Sequence, residues 1–206
     1  MNLVTVDELE AIELPDGFVW RPVRRHFGIR AFGTNAYTPG ASGQVIEEHT
    51  ERRGQEEIYV VLRGRVRFTL GDDEHELGPG QLVHVSDPSL KRGAVKVTDD
   101  AAVLAIGGTP GEAFEVSTWE LVFPAFPLIN SGRYDEAKSM LLNALGDRAD
   151  SPPILYNLAC AEALAGESDA ALEHLNAAVA GDETFLRHAQ EENDFASIRD
   201  DPRFPR

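Results

Sequence analysis

Three histidines, His49, His75 and His84, and several glutamates fall in the stretch from Gly43 to Arg92, which reads GQVIEEHTERRGQEEIYVVLRGRVRFTLGDDEHELGPGQLVHVSDPSLKR. In an extended chain successive side chains alternate, so residues 45–51 put Val45, Glu47, His49 and Glu51 on one face. The same alternation groups Glu57, Tyr59 and Val61, and it sets Leu82 and His84 opposite Val83 and Val85. Imidazole and carboxylate together serve two chemistries. They are donors for divalent transition metals, and they are general acids and bases. Glu47, Glu51, Glu56 and Glu57 are numerous enough for acid–base work, although on so acidic a chain most of them read as rim charge. A lone histidine on a strand, such as His84, reads first as a hydrogen-bonded core or rim residue and second as an unorthodox ligand.

The other reactive types point to no chemistry. His26, His75, His174 and His188 have no partner at ligand spacing, and Cys160 falls on an apolar helical stripe, the place of a small buried hydrophobe. The glycines of 107–111 lead into Glu112 and Phe114 rather than into a phosphate-loop lysine. The sequence contains no G-x-S-x-G elbow.

The elements that must position the candidate residues are short. Apolar runs at 58–62, 66–70 and 81–85 alternate with turns at Arg63-Gly64, Gly71-Asp72-Asp73 and Gly78-Pro79-Gly80, the pattern of antiparallel strands joined by hairpins. Their regular spacing predicts a closed barrel or jelly roll. Upstream, residues 4–14 predict a short amphipathic helix with Thr5 as N-cap and Glu8 completing a capping box. Pro15-Asp16-Gly17 predicts a turn, 18–20 and 26–32 strands, and 35–42 a loop. Arg21, Arg24 and Arg25 form a basic cluster that reads as a solvated edge discouraging edge-to-edge pairing. Residues 95–97 and 101–106 predict the last strands, with a turn at Thr98-Asp99-Asp100.

Near residue 120 the composition shifts. Pro124 and Pro127 predict a linker, and after them Ala and Leu recur with helical period. Gly132 and Gly166, Asp135 and Asp169, Ala137 and Ala171, Leu141 and Leu175, and Ala144 and Ala178 each stand 34 residues apart. That is the period of the tetratricopeptide repeat, two antiparallel helices per unit. Residues 152–180 make a complete unit and the one before it keeps only its second helix, with 183–198 as a capping helix. The expected organisation is α+β: a jelly-roll barrel over 1–118 and a small all-α tail over 119–206.

The 206 residues are 42% hydrophobic, enough for a real core, and carry a net charge of −16. Such a chain repels nucleic acid and anionic membranes, so neither is an expected partner. No apolar run reaches membrane-spanning length, the N-terminus lacks the basic and apolar regions of a signal peptide, and a single cysteine excludes a disulfide framework. The expected compartment is the cytosol.

The barrel stretch also resembles the cupin family. Gly43, His49, Glu51, Glu57 and Gly64 stand at the spacing of the first cupin motif, with Glu51 where the family has a second histidine. Pro79-Gly80 and the strand after it fit the second motif, but the third histidine position falls on Lys91 or Arg92. The resemblance implies a double-stranded β-helix with His49, Glu51, Glu57, Tyr59, His84 and Arg92 toward its interior. It also implies a divalent transition metal (Mn, Fe, Ni or Zn), here held by His49, Glu51 and Glu57 if at all. A cation at the third position repels a metal and neutralises Glu57, and arginine offers a planar fork matched to a carboxylate. The favoured expectation is therefore no metal. The whole pattern, with PGEAFEVSTWE, YNLAC and DDPRF in the tail, is similar to a bacterial group of cupin proteins with tetratricopeptide-like tails.

Three functions follow. The first is a non-catalytic barrel that binds or senses a small polar molecule, for instance one with a carboxylate. The second is a metal-dependent enzyme of dioxygenase or isomerase type. The third is a protein–protein adaptor with the barrel as dimerisation platform. Family habit predicts a homodimer. About one and a half repeats are too few for a peptide groove, so the tail is expected to pack on its own barrel or on a second subunit, with a protein partner as the alternative.

Overall fold

The computed structural model describes all residues except Met1, Asn2, Asp16, Arg52, Arg53, Asp147 and Ala149. The expected turn at Pro15-Asp16-Gly17 thus lies partly outside the described residues. Two compact units divide the chain, Met1–Val116 and Ser117–Arg206.

The first unit is two antiparallel sheets face to face. Its strands are β1 (Ile12–Glu13), β2 (Phe18–Arg21), β3 (Gly33–Pro39), β4 (Gln44–His49), β5 (Glu56–Arg63), β6 (Val66–Leu70), β7 (Asp73–Leu77), β8 (Leu82–Val85), β9 (Arg92–Lys96) and β10 (Ala102–Gly108). One sheet runs β1-β2-β3-β10-β5-β8 and the other β4-β9-β6-β7. Alternation sends Tyr59, Val61, Val83, Val85, Val103 and Ala105 from the first sheet against Val45, Val66, Phe68 and Ala94 of the second. The Tyr59 and Phe68 rings meet across this core at 5.0 Å. Gly64, at φ +64°, permits the tight turn between β5 and β6, where a Cβ would strike the Ala101 backbone.

Several local expectations give way to context. The capping box at Thr5 and Glu8 forms, with the Glu8 carboxylate accepting from the Thr5 N–H at 2.7 Å, but it caps only a 3₁₀ turn, Val6–Glu8. The chain then leaves as β1, because pairing Ile12 with Trp20 buries both. Residues 26–32, expected as a strand, begin inside a one-turn helix, α1 (Val23–Phe27), set up by Pro22 and closed by Gly28 at φ +66°. Residues 35–42, expected as a loop on account of Pro39 and Gly40, hold most of β3, whose Thr34, Ala36 and Thr38 are buried. Pro39 sits at the strand's last position, where it interrupts nothing. β7 escaped sequence reading because Asp-Glu-His-Glu-Leu carries one apolar residue; it pairs with β6 alone, and its charges protect an edge.

The second unit is helical: α2 (Thr118–Val122), α3 (Phe126–Asn130), α4 (Tyr134–Leu145), α5 (Pro152–Leu164), α6 (Ser168–Gly181) and α7 (Thr184–Glu191). Pro124 and Pro127 mark no linker. Each falls in the first turn of a helical segment, where its missing N–H costs no bond, so 118–130 is a broken helix rather than a gap. The expected capping helix of 183–198 is α7 followed by a 3₁₀ turn, Asn193–Phe195. Gly132 and Gly166 share a left-handed backbone, and Ala137, Ala171, Leu141 and Leu175, their 34-residue companions, are all fully buried. α5 is buried on every side from Ile154 to Ala163. Among the described residues no helix is long and apolar enough to cross a membrane.

Candidate functional site

At one end of the barrel the two sheets present polar side chains to each other. β5 brings Glu57 from the six-stranded sheet. β4 and β9 bring His49 and Arg92 from the four-stranded sheet, where these two are direct cross-strand partners. The simple alternation of Val45, Glu47, His49 and Glu51 does not survive, because β4 carries two register shifts against β9, between Gln44 and Ile46 and between Ile46 and His49. Val45 and Ile46 are both buried as a result, Glu47 is exposed, and His49 turns back toward the interior. Glu51 lies just past the strand, its N–H donating to the Pro88 carbonyl at 2.8 Å.

Arg92 is the centre of the site. Of the two residues on which the third histidine position of the resemblance falls, it is the inward one: its side chain has no solvent exposure, and it belongs to a strand flanked on both sides. Its Nε and Nη2 donate to Glu57 Oε2 at 3.1 and 2.6 Å, and Nη1 donates to the carbonyls of Pro88 and Leu90, both at 3.1 Å. Its neighbour Lys91 points outward to Glu48. Glu57 Oε2 also accepts from Tyr59 Oη at 2.6 Å. Gly107 makes room for this carboxylate: a Cβ there would stand 3.0 Å from Glu57 Cγ and 3.0 Å from the Glu56 carbonyl.

His49 completes the cluster. Its Nδ1–H donates to the Glu47 carbonyl at 2.7 Å, which turns Nε2 toward Glu51 Oε1 at 3.7 Å and Glu57 Oε2 at 3.8 Å. Burial opposes the imidazolium, but the Glu57 carboxylate and the Glu47 carbonyl outweigh it, so the His49 pKa lies above its ordinary value. Burial likewise opposes ionised Glu57, yet His49, Tyr59 and Arg92 hold its pKa below the usual range. Burial and the Glu57 charge push the Tyr59 phenol far up, so it stays a donor. The cluster is thus a buried guanidinium and an ionised carboxylate, with a histidine able to carry charge at its rim.

His84 is not in the interior. It shares the outer face of β8 with Leu82, its side chain 57% exposed and 3.6 Å from Glu56. It does line an open groove of about 410 Å³ with Phe32, Glu56, Glu57, Ile58 and Ile106, where Ile58 and Ile106 stand in register with it on the outer face of the sheet. Sequence reasoning missed Gly107, which makes room for Glu57, and Phe32 and Ile106, which line the groove; tertiary placement alone brings them there. Cys160 is buried in the helical unit, and burial pushes its thiol up, away from nucleophilic use.

The metal expectation can be tested on these atoms. Donor atoms of His49, Glu51 and Glu57 lie within 4.8 Å of one another, close enough to converge on an ion. Arg92 Nη2, however, stands 2.6 Å from Glu57 Oε2 and 4.0 Å from Glu51 Oε1, so a fixed positive charge lies against two of the three donors. Glu57 Oε2 already accepts three hydrogen bonds. A divalent cation there would meet a fixed positive charge and a committed ligand. The residues present do not fit a metal.

Residues 36–106 match the sequence profile of the Cupin domain family. Among solved structures the chain is similar to KdgF from Halomonas sp., with 19% identity, 52% of this chain and 93% of that one covered, and a TM-score of 0.43. The polyketide cyclase RemF from Streptomyces resistomycificus is 17% identical over 57% of this chain and 87% of that one, with a TM-score of 0.42. The cupin domain of an XRE family transcriptional regulator from Enterobacter cloacae is 16% identical over 46% of this chain and 98% of its own, with a TM-score of 0.39. No curated protein matches the sequence. Likeness of this degree carries none of those proteins' activities to this chain. The match covers residues 36–106, which lie within the unit of antiparallel sheets and leave the helical unit outside it.

Proposed function

We propose that the barrel is a metal-independent, non-catalytic cupin that binds a small polar molecule in the groove beside its buried charge pair and acts as a sensor or carrier. The observation that carries this reading is the Arg92–Glu57 pair, a fully buried guanidinium 2.6 Å from the carboxylate at the ligand position of the family motif. The pair satisfies the charge that a metal would otherwise balance. The groove beside it, at about 410 Å³, falls in the size range of small-molecule sites, roughly 300–1,000 Å³. Its walls, Phe32, Ile58 and Ile106, are apolar, and Glu56, Glu57 and His84 supply the polar contacts. Four N–H groups of Arg92 are already directed at protein oxygens, so a ligand carboxylate finds no ready partner in it.

In this reading the helical unit is a tetratricopeptide-like element, supported by the 34-residue equivalence of buried Ala137 and Ala171, and it presents the barrel's state to a protein partner. The protein works in the cytoplasm as a homodimer. The competing reading, a metal-dependent enzyme, rests on the convergence of His49, Glu51 and Glu57; Arg92 counts against it.

The test is a thermal-shift screen of small polar molecules in the presence of EDTA, with Glu57→Gln and His49→Ala beside the wild type. A ligand at 100 times its Kd should raise stability by about 2.7 kcal/mol in the wild type, and less in the variants. Binding or turnover that appears only after Mn, Fe, Ni or Zn is added would overturn the proposal.

A further inference from the structure

We infer that the Arg92 guanidinium is a built-in replacement for a metal ion, and that its positive charge alone keeps a three-donor site closed to divalent cations. The inference concerns the site of the preceding section, but it requires no ligand and its experiment reads metal only.

Three observations carry it. First, the charge sits against the same two oxygens that the histidine faces: Nη2 is 2.6 Å from Glu57 Oε2 and 4.0 Å from Glu51 Oε1, and His49 Nε2 stands 3.8 and 3.7 Å from them. Secondly, the guanidinium ties together what a coordinated ion would tie together. Glu57 comes from one sheet, Arg92 from the other, and the Pro88 and Leu90 carbonyls from the loop between β8 and β9. The Pro88 carbonyl also accepts from the Glu51 backbone, so the same loop places the third donor. Thirdly, the tautomer is already that of a metal-binding imidazole: Nδ1–H is fixed on the Glu47 carbonyl, which leaves Nε2 as the inward atom. Removing the charge while leaving the three donors should convert an arginine-closed site into a cation site.

The experiment compares wild type, Arg92→Lys, Arg92→Met and Arg92→Met/His49→Ala by calorimetric titration with Mn²⁺, Co²⁺, Ni²⁺ and Zn²⁺, alongside the d–d absorption of Co²⁺. Lysine keeps the charge, so wild type and Arg92→Lys should bind no more tightly than about 1 mM. Arg92→Met should bind at least about 100-fold more tightly, given a unit charge near 4 Å from the ion. The double variant should lose that gain. Should Arg92→Met fail to fold without metal, the inference requires that metal restore its cooperative unfolding transition, and that Arg92→Gln behave alike; an unfolded chain that no metal rescues would overturn it. A folded Arg92→Met with wild-type metal affinity would overturn it too, as would tight binding by Arg92→Lys.

Discussion

Replacing Glu57 by glutamine tests the buried pair where it is most exposed to error. The substitution keeps the side chain's size and one oxygen, but it strips the charge opposite a guanidinium that has no solvent exposure. Breaking a buried pair from one side costs about 3–5 kcal/mol, because the remaining charge can neither hydrate nor neutralise. Two features hold this case to the lower end. Glu51 Oε1 remains 4.0 Å from Nη2, and the amide oxygen can still accept from Tyr59. The expected loss is about 3 kcal/mol, a fall in Tm of roughly 6–12 °C for a chain of this size. Arg92→Met beside Glu57→Gln removes both charges together, and that double variant should lie within about 1 kcal/mol of wild type. The coupling energy, about 2 kcal/mol or more, is the quantity of interest. Urea unfolding followed by circular dichroism and tryptophan fluorescence measures it, since buried Trp20 reports the barrel and half-exposed Trp119 the helical unit. A Glu57→Gln variant within about 0.5 kcal/mol of wild type, or a double variant whose loss equals the sum of the singles, would refute the reasoning.

Four further expectations concern the same end of the barrel and the division of the chain. Glu57 has a depressed pKa, so its contribution to stability is complete above about pH 4.3, the unfolded value, and lost as pH falls through the lower folded value. His49 has a raised pKa, so its contribution is complete below about pH 6.5 and lost as pH rises through the folded value; a stability–pH profile of His49→Gln should lack that loss. Gly107→Ala should cost about 1–3 kcal/mol, since its Cβ meets the Glu56 carbonyl and Glu57 Cγ at 3.0 Å, and in that background Glu57→Gln should cost less than alone. A chain ending at Val116 should keep one cooperative unfolding transition, because its core of Val45, Tyr59, Phe68 and Val103 is drawn from that unit alone; a molten profile would contradict this.

What the sequence made legible follows from the strength of local signals. The turns at Gly64, Gly71 and Gly80 and the alternation of Leu82 to Val85 were readable because turn chemistry and period agree there. Only the turn at Gly71 closes an expected hairpin, β6 with β7; those at Gly64 and Gly80 carry the chain from one sheet to the other, which no local signal distinguishes. β1, β3 and β7 were not, since pairing partners distant in sequence decide them: Ile12 needs Trp20, Ala36 needs Leu104 and Arg21, and the polar β7 needs β6. Pro124 and Pro127 misled because a proline forbids helix interiors but suits helix starts, a distinction that only the surrounding turns settle. At the site, Glu57 and the His49 rim were readable, and the cation replacing a ligand could be narrowed to Lys91 or Arg92. Only the β9 register chose between them, sending Lys91 to Glu48 and Arg92 inward. His84 lay outside the interior by the same alternation that put Val83 and Val85 within it.

The measurement that tests the central claim most directly is the metal content of the wild-type protein, purified without chelator and again after incubation with Mn, Fe, Ni and Zn, with His49→Ala beside it. If Arg92 holds the metal's place, neither protein retains a stoichiometric transition metal under any of these conditions. About one equivalent per chain in the wild type, lost in His49→Ala, would contradict the account.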